Sequence, residues 1–269
     1  MRTSEQQRIP ILIRIIAIIS LFFITVPVLS LLNKLSLSTL WHELGERAVR
    51  ETLGLSLWTS LTSMLLSIFF GVPLAILLAQ TRSRWILLIR PIATFPIILP
   101  PVVAGVALLL AFGRNGLLGR YLWEWFHIQL PFSPAAVIIA QTFVSMPFLV
   151  FAVEGALKRS DQDLEDAAQT AGANKMQVLW HVTLPLIWPS LISGAILAWA
   201  RALGEFGATI TFAGSFPGRT QTLPISVYYA LESKPEAAIA LSMVMIVVSI
   251  SVLVLLGIRE RANQREKEG

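Results

Sequence analysis

The chain has 269 residues, of which 55% are hydrophobic and only 14% charged, and its mean hydropathy is +0.71. A soluble domain carries roughly a quarter charged residues, so this composition excludes an ordinary globular enzyme and points to an integral membrane protein. The net charge of +5 would suit nucleic acid in a soluble protein. Here the basic residues flank apolar runs and sit against anionic lipid heads, so membrane lipid is the expected partner and nucleic acid is not. Cysteine is absent, which removes disulfides and thiolate chemistry. His42, His127 and His181 lie far apart without ligand-like spacing, so neither a metal site nor a cofactor is expected.

A crossing helix needs about twenty apolar residues at about 1.5 Å rise each. In chain order the candidates are Ile15 to Leu32, Ser56 to Ala79, Ile86 to Phe112, Ala135 to Leu157, Leu186 to Ala213, and Ala238 to Ile258. They predict an all-α, six-helix polytopic bundle occupying residues 1–269 as a single domain. The first follows a basic tail, but its apolar run exceeds a signal core and lacks a small-residue cleavage site, so it reads as a retained helix. Pro73 with Gly71 interrupts the second run, Pro96, Pro100, Pro101 and Gly105 fall in the third, and Pro147 in the fourth. Broken helices are tolerated in membranes where the freed backbone faces protein or a water-filled cavity, which favours a moving bundle over a static anchor.

Between the fourth and fifth runs lies a polar insert, residues 160–185, too long and too structured for a simple connection. Ser160 with Asp163 three residues on resembles a capping box. Asp161, Asp163, Glu165 and Asp166 crowd the first turns, where the helix dipole favours negative charge. Ala167, Ala168 and Ala171 make a narrow helix, and Gly172 suits the left-handed turn that ends one. Asn174 can cap a second short helix, Lys175 to His181, which Pro185 is expected to stop. A short, rigid helix pair suits a docking surface that transmits rigid-body motion.

In the fifth run Arg201 and Glu205 are four apart, so on one helix they share a face and neutralise each other, with Thr209 one turn further along. Charges at this depth are costly and mark either a path for an anion or a structural pair. Gly194, Ala198 and Ala202, and again Ala200, Gly204 and Ala208, form small faces that let neighbouring helices approach closely.

Lysine and arginine placement sets the orientation. Arg2, Arg8, Arg14, Arg82, Arg84, Arg90, Lys158, Arg159, Lys175, Arg259, Arg261, Arg265 and Lys267 make thirteen on the side of the termini and the insert. Lys34, Arg47, Arg50, Arg114, Arg120, Arg219 and Lys234 make seven on the other, which places both termini and the insert in the cytoplasm. There is no phosphate loop of the GxxxxGKS or GxxxxGKT type, no nucleophile elbow and no HExxH, so the chain is not expected to be an enzyme. Energy for transport must come from a partner chain or an ion gradient.

The insert resembles the loop through which permease subunits of ATP-binding-cassette importers engage their ATPase. The family pattern Glu-Ala-Ala, three residues, Gly, nine residues, Ile-x-Leu-Pro is matched by Asp166-Ala167-Ala168, Gly172 and Val182-Thr183-Leu184-Pro185. Asp for Glu and Val for Ile are conservative departures. The runs Arg90 to Gly105, Ala200 to Gly214 and Phe216 to Tyr228 resemble molybdate permease subunits of the type I (MetI-like) importer family, which includes the sulfate and tungstate permeases.

The resemblance implies Glu165, Asp166, Ala167, Ala168, Gly172, Ala173, Leu184 and Pro185 as the ATPase-coupling residues. It also implies a homodimer, two copies of a cytoplasmic ATPase, a periplasmic or lipid-anchored oxyanion-binding protein, and a place in a prokaryotic inner membrane. The expected function is ATP-driven oxyanion import, with molybdate as cargo, by alternating access. Arg201, Glu205 and Thr209 are the candidate path or gate. Sulfate or tungstate import by the same machinery is an alternative. An ion-coupled secondary transporter is another, with Arg201–Glu205 as its ion site, but it leaves the insert unexplained. A membrane anchor or receptor is a third, against which the kinked runs count.

Overall fold

The computed structural model describes residues 10–34, 36–81, 83–159 and 162–268, with helices and short connections and no strand among them. Arg2, Arg8, Arg82, Ser160 and Asp161, which entered the orientation and capping arguments, lie outside the described residues. The chain opens with α1 (Ile11–Lys34), the short α2 (Leu37–Gly45) and the long α3 (Arg47–Gln80). Next come α4 (Ile86–Ile98), α5 (Pro101–Phe112), the aromatic α6 (Gly119–Phe126) and α7 (Pro134–Arg159). The insert supplies α8 (Gln162–Thr170) and α9 (Lys175–Val178). They are followed by α10 (Leu184–Leu203), α11 (Gly207–Ala213), α12 (Leu223–Ser233) and α13 (Pro235–Glu268).

Four described stretches are long and apolar enough to cross a membrane: α1, α3, α7 and the run Lys175–Leu203. A fifth is the pair α4 and α5, bent by 118° where they join. The apolar stretch Pro235–Ser251 of α13 corresponds to the sixth expected run.

Helix α7 is the centre of the bundle, packed by α3 and by α10. Its Leu149, Val150, Val153 and Leu157 meet Ala75 and Leu78 of α3 and Ile187, Leu191 and Ala198 of α10. Nearer its N-terminus, Ala136, Val137, Ala140 and Val144 pack with Ala104 and Leu108 of α5 and Phe212 of α11. Small residues make these approaches possible. A Cβ on Gly194 of α10 would lie 2.8 Å from Ala152 Cβ, and Ala198 and Ala202 continue that buried face as expected.

The α3–α7 interface is polar as well as small, which was not anticipated. Ser56, Ser60, Ser63 and Ser67 of α3 are fully buried. Thr142 Oγ1 donates to Ser63 Oγ at 3.1 Å, and Ser145 Oγ lies 3.4 Å from Ser63 Oγ and 3.3 Å from Ser67 Oγ. The same stripe ties in two further helices: Trp199 Nε1 of α10 donates to Ser60 Oγ at 3.0 Å, and Leu223 N of α12 donates to Ser56 Oγ at 2.7 Å. In an apolar medium such hydroxyls are the directional part of helix association.

The proline expectations divide. Pro73 and Pro147 do not interrupt α3 and α7, which run straight through them. Each costs one backbone bond, and the tight α3–α7 packing keeps the helices whole. Gly71 serves that packing, since a Cβ there would meet Leu149 Cδ2 at 3.1 Å. The third expected crossing does break. Leu99 and Pro100 each precede a proline, which disfavours helical ψ, and they adopt ψ of 129° and 133°. Pro101 then opens α5, where its missing N–H costs nothing.

Candidate functional site: the insert and the Arg201–Glu205 pair

The insert folds largely as its residues dictate. Helix α8 ends at Thr170, and Gly172 takes a φ of +93°, with Gly172 N bonded to Gln169 O and Ala173 N to Ala168 O. Asn174 forms a reciprocal capping box with Gln177: Gln177 N donates to Asn174 Oδ1 at 2.9 Å and Asn174 N to Gln177 Oε1 at 2.8 Å. The two arms are then stapled, because Thr183 Oγ1 donates to Glu165 Oε1 at 2.8 Å. Asp166, Ala167 and Pro185 are exposed, Ala168, Ala173 and Leu184 half-buried. Leu164, Met176 and Trp180 present exposed apolar surface on the same knob. Behind it lies a cavity of about 590 Å³, lined among others by Gln80, Lys158, Glu165, Asp166 and Lys175.

Pro185 does not stop the second arm. Helix α9 ends at Val178, and a π-helical turn, Leu179–Thr183, carries the chain into α10 without a break. Leu184 N bonds to Leu179 O, and this wider turn makes room for the proline ring that an α-helical turn would press against a carbonyl. The expected helix Lys175 to His181 is therefore the first part of a single run reaching Leu203.

Arg201 and Glu205 do pair, with Nη2 to Oε2 at 2.8 Å, but they do not share one helix. Helix α10 ends at Leu203, and Gly204 to Phe206 leave the helical path before α11 begins at Gly207. Glu205 is 1% exposed and its Oε1 accepts from Ala208 N at 2.9 Å, so it caps α11 while neutralising the last turn of α10. Thr209 therefore lies on a second helix, fully buried, and its hydroxyl has no partner among the described residues. The expected stripe Ala200, Gly204, Ala208 is split by the same break. Arg201 keeps 30% of its side chain exposed.

The break is held open by contact with α5. A Cβ on Gly105 would lie 2.5 Å from Thr211 Cβ and 2.8 Å from Ala208 O, and one on Gly207 would lie 2.6 Å from Pro101 Cβ. Backbone meets backbone here, which explains physically why the runs Arg90 to Gly105 and Ala200 to Gly214 carry glycines.

Two buried polar groups were missed. Gln141 of α7 is fully buried and neither atom of its amide has a partner among the described residues. Glu154, also on α7, is buried and paired with Arg90 of α4 and Lys158. A lone carboxylate in an apolar run, four before a lysine, was the available signal. Sequence spacing had also disfavoured a metal site, yet His42, Glu43 and Glu46 on and beside α2 bring one ligand atom each within 4.8 Å, the one such grouping among the described residues.

Residues 71–265 match the family model described as a binding-protein-dependent transport system inner membrane component. The molybdenum transport system permease protein ModB of Mycobacterium tuberculosis is 46% identical over 225 residues, covering 84% of this chain and 85% of that protein. The sulfate transport system permease protein CysW of Synechococcus elongatus is 40% identical over 191 residues, covering 71% of this chain and 66% of that protein. Among solved structures, a bacterial transporter importing the acidic polysaccharide alginate superposes with a TM-score of 0.69 at 15% identity, covering 92% of this chain and 94% of its own. That likeness establishes the fold as the one used by importer permeases. The chain belongs to the binding-protein-dependent transport system inner membrane component family, as a multi-pass inner-membrane protein.

Proposed function

We propose that this chain is the permease subunit of an ATP-driven importer whose cargo is molybdate. The cargo is inferred from the relatives named for molybdenum transport. The mechanism is inferred from the insert, and the observation that carries it is the stapled knob: a left-handed Gly172, a capping box and the Glu165–Thr183 bond hold two short arms rigid under exposed Leu164, Met176 and Trp180. In this reading Glu165, Asp166, Ala167, Ala168, Gly172, Ala173, Leu184 and Pro185 form the surface that engages a cytoplasmic ATPase. The thirteen-to-seven bias of basic residues favours termini and insert in the cytoplasm. The working assembly is two copies of this chain, two ATPase subunits and a periplasmic or lipid-anchored oxyanion-binding protein. Residues 1–269 form a single permease domain that carries the coupling insert, residues 160–185.

ATP binding closes the ATPase pair, moves the knobs and turns the bundle outward, and hydrolysis resets it; ATP drives the shift through its differential affinity for the closed state. Arg201 supplies the attraction for an oxyanion. Glu205 holds Arg201 in place and weakens its field, so that the ion passes rather than stays. Thr209, a buried hydroxyl on α11, is the third polar group of this reading.

The test is reconstitution of the permease, ATPase and binding protein in proteoliposomes. Molybdate accumulates only with ATP and all three components, and tungstate competes more strongly than sulfate. Full-rate uptake by the permease alone, or uptake that follows an ion gradient without ATP, overturns the reading. The relatedness to a sulfate permease keeps sulfate as the second cargo, and ligand titration of the binding protein separates the two.

A further inference from the structure

We propose that Glu154, through Arg90 and Lys158, positions α4 on α7 and so couples the docking knob to the bend at Leu99–Pro100; this rests on the importer reading above. Glu154 is 3% exposed on α7, and its Oε1 lies 2.5 Å from Arg90 Nη2 of α4 and 2.7 Å from Lys158 Nζ. The Arg90 guanidinium also donates to Leu78 O near the end of α3 at 3.5 Å. One carboxylate therefore ties α4 to α7 and, through Arg90, to the end of α3, with two cations sharing its charge.

Helix α4 packs through one face only, and the pair lies on that face. That helix buries only Ile86 and Pro96, while Leu87, Ile92 and Ile98 are 76%, 73% and 81% exposed. Ile86, Ile89 and Ala93 pack one face of α4 on the core, and the Arg90–Glu154 pair adds the charged tie to α7. Beyond Leu99–Pro100, α5 is locked to α11 by the glycine contacts at Gly105 and Gly207, and α11 is capped by the carboxylate that pairs with Arg201. On the other side, Lys158 lines the cavity beneath the knob together with Glu165 and Asp166. Lys158 thus pairs with Glu154 on its own helix and shares a cavity with the acids of α8. A shift of the knob changes which of them it neutralises, and hence how tightly Glu154 holds Arg90. The link runs from the knob through one shared oxygen to the bend.

The experiment uses the complete complex in proteoliposomes and measures molybdate taken up per ATP hydrolysed. Arg90→Met leaves Glu154 paired with Lys158, so no buried charge is stranded and the complex assembles, as size-exclusion chromatography checks. The expected result is hydrolysis within about two-fold of the unaltered complex and uptake per ATP lowered about ten-fold. Arg90→Lys restores at least half the ratio, and Arg90→Met combined with Glu154→Gln is no worse than Glu154→Gln alone. An unchanged ratio in Arg90→Met overturns the inference, as does a parallel fall in hydrolysis and uptake that Arg90→Lys does not rescue. If the unaltered complex hydrolyses ATP without moving oxyanion, the importer reading falls and this inference with it.

Discussion

At the α5–α11 contact, Gly105 and Gly207 are small because a backbone occupies the space where a side chain would go. On the knob, Ala167 is exposed and a Cβ on Gly172 would meet nothing within 4 Å, so small size there serves a partner still to arrive. The first region spends its short residues on the fold and the second on an interface. Substituting both with the same residue separates the two roles. Gly207→Val would set a Cβ 2.6 Å from the Pro101 ring, which must move away, and costs about 3 kcal/mol, read as loss of monodisperse protein in detergent. Gly172→Val leaves the bundle intact. It strains a φ of +93° and obstructs docking, so ATPase co-purification falls while thermal stability of the isolated permease stays within a few degrees. Equal losses from both substitutions would erase the distinction.

Within the first region, Glu205→Ala removes a neutralising charge and a cap together, for a loss of about 3 kcal/mol in thermal unfolding. Glu205→Gln keeps an acceptor for Ala208 N and is milder by about 1 kcal/mol. If the two behave alike, the cap contributes nothing. Within the second, Thr183→Val frees Glu165 and weakens ATPase binding by roughly five-fold, a net hydrogen bond's worth. The smallest effect is Asn174→Ala, a capping-box loss of about 1 kcal/mol confined to α9 and visible as faster amide exchange there.

The same contrast explains what the sequence disclosed. The turn of the knob is local: Gly172 and Asn174 act on neighbours within a few residues, and both were legible in order, whereas the Glu165–Thr183 staple was not. The apolar runs were legible because length and hydropathy need no knowledge of packing. Apart from Pro185, which the adjoining π turn accommodates, expectation failed where the decisive partner was distant in sequence. Helix α10 ends at Leu203 because α5 fits against α11 at Gly207, some hundred residues from Pro101, and no periodicity in Leu186 to Ala213 reveals that. Pro73 and Pro147 read as breaks, yet the α3–α7 interface overrides them. The serine stripe of α3 was present at four-residue spacing from Ser56 to Ser60 and from Ser63 to Ser67, but hydroxyls read as polar noise until Ser145 and Trp199 are placed beside them.

The π-helical turn at Leu179–Thr183 has a mechanical consequence. Because Pro185 fails to sever the chain there, Lys175 to Leu203 is one 29-residue rod, roughly 43 Å long, with the knob's second arm at one tip and Arg201 near the other. Tilting it by about 5° around the knob swings the arginine's end by about 4 Å, more than an anion's radius. The stroke delivered at the membrane's edge is magnified by leverage along one continuous helical run.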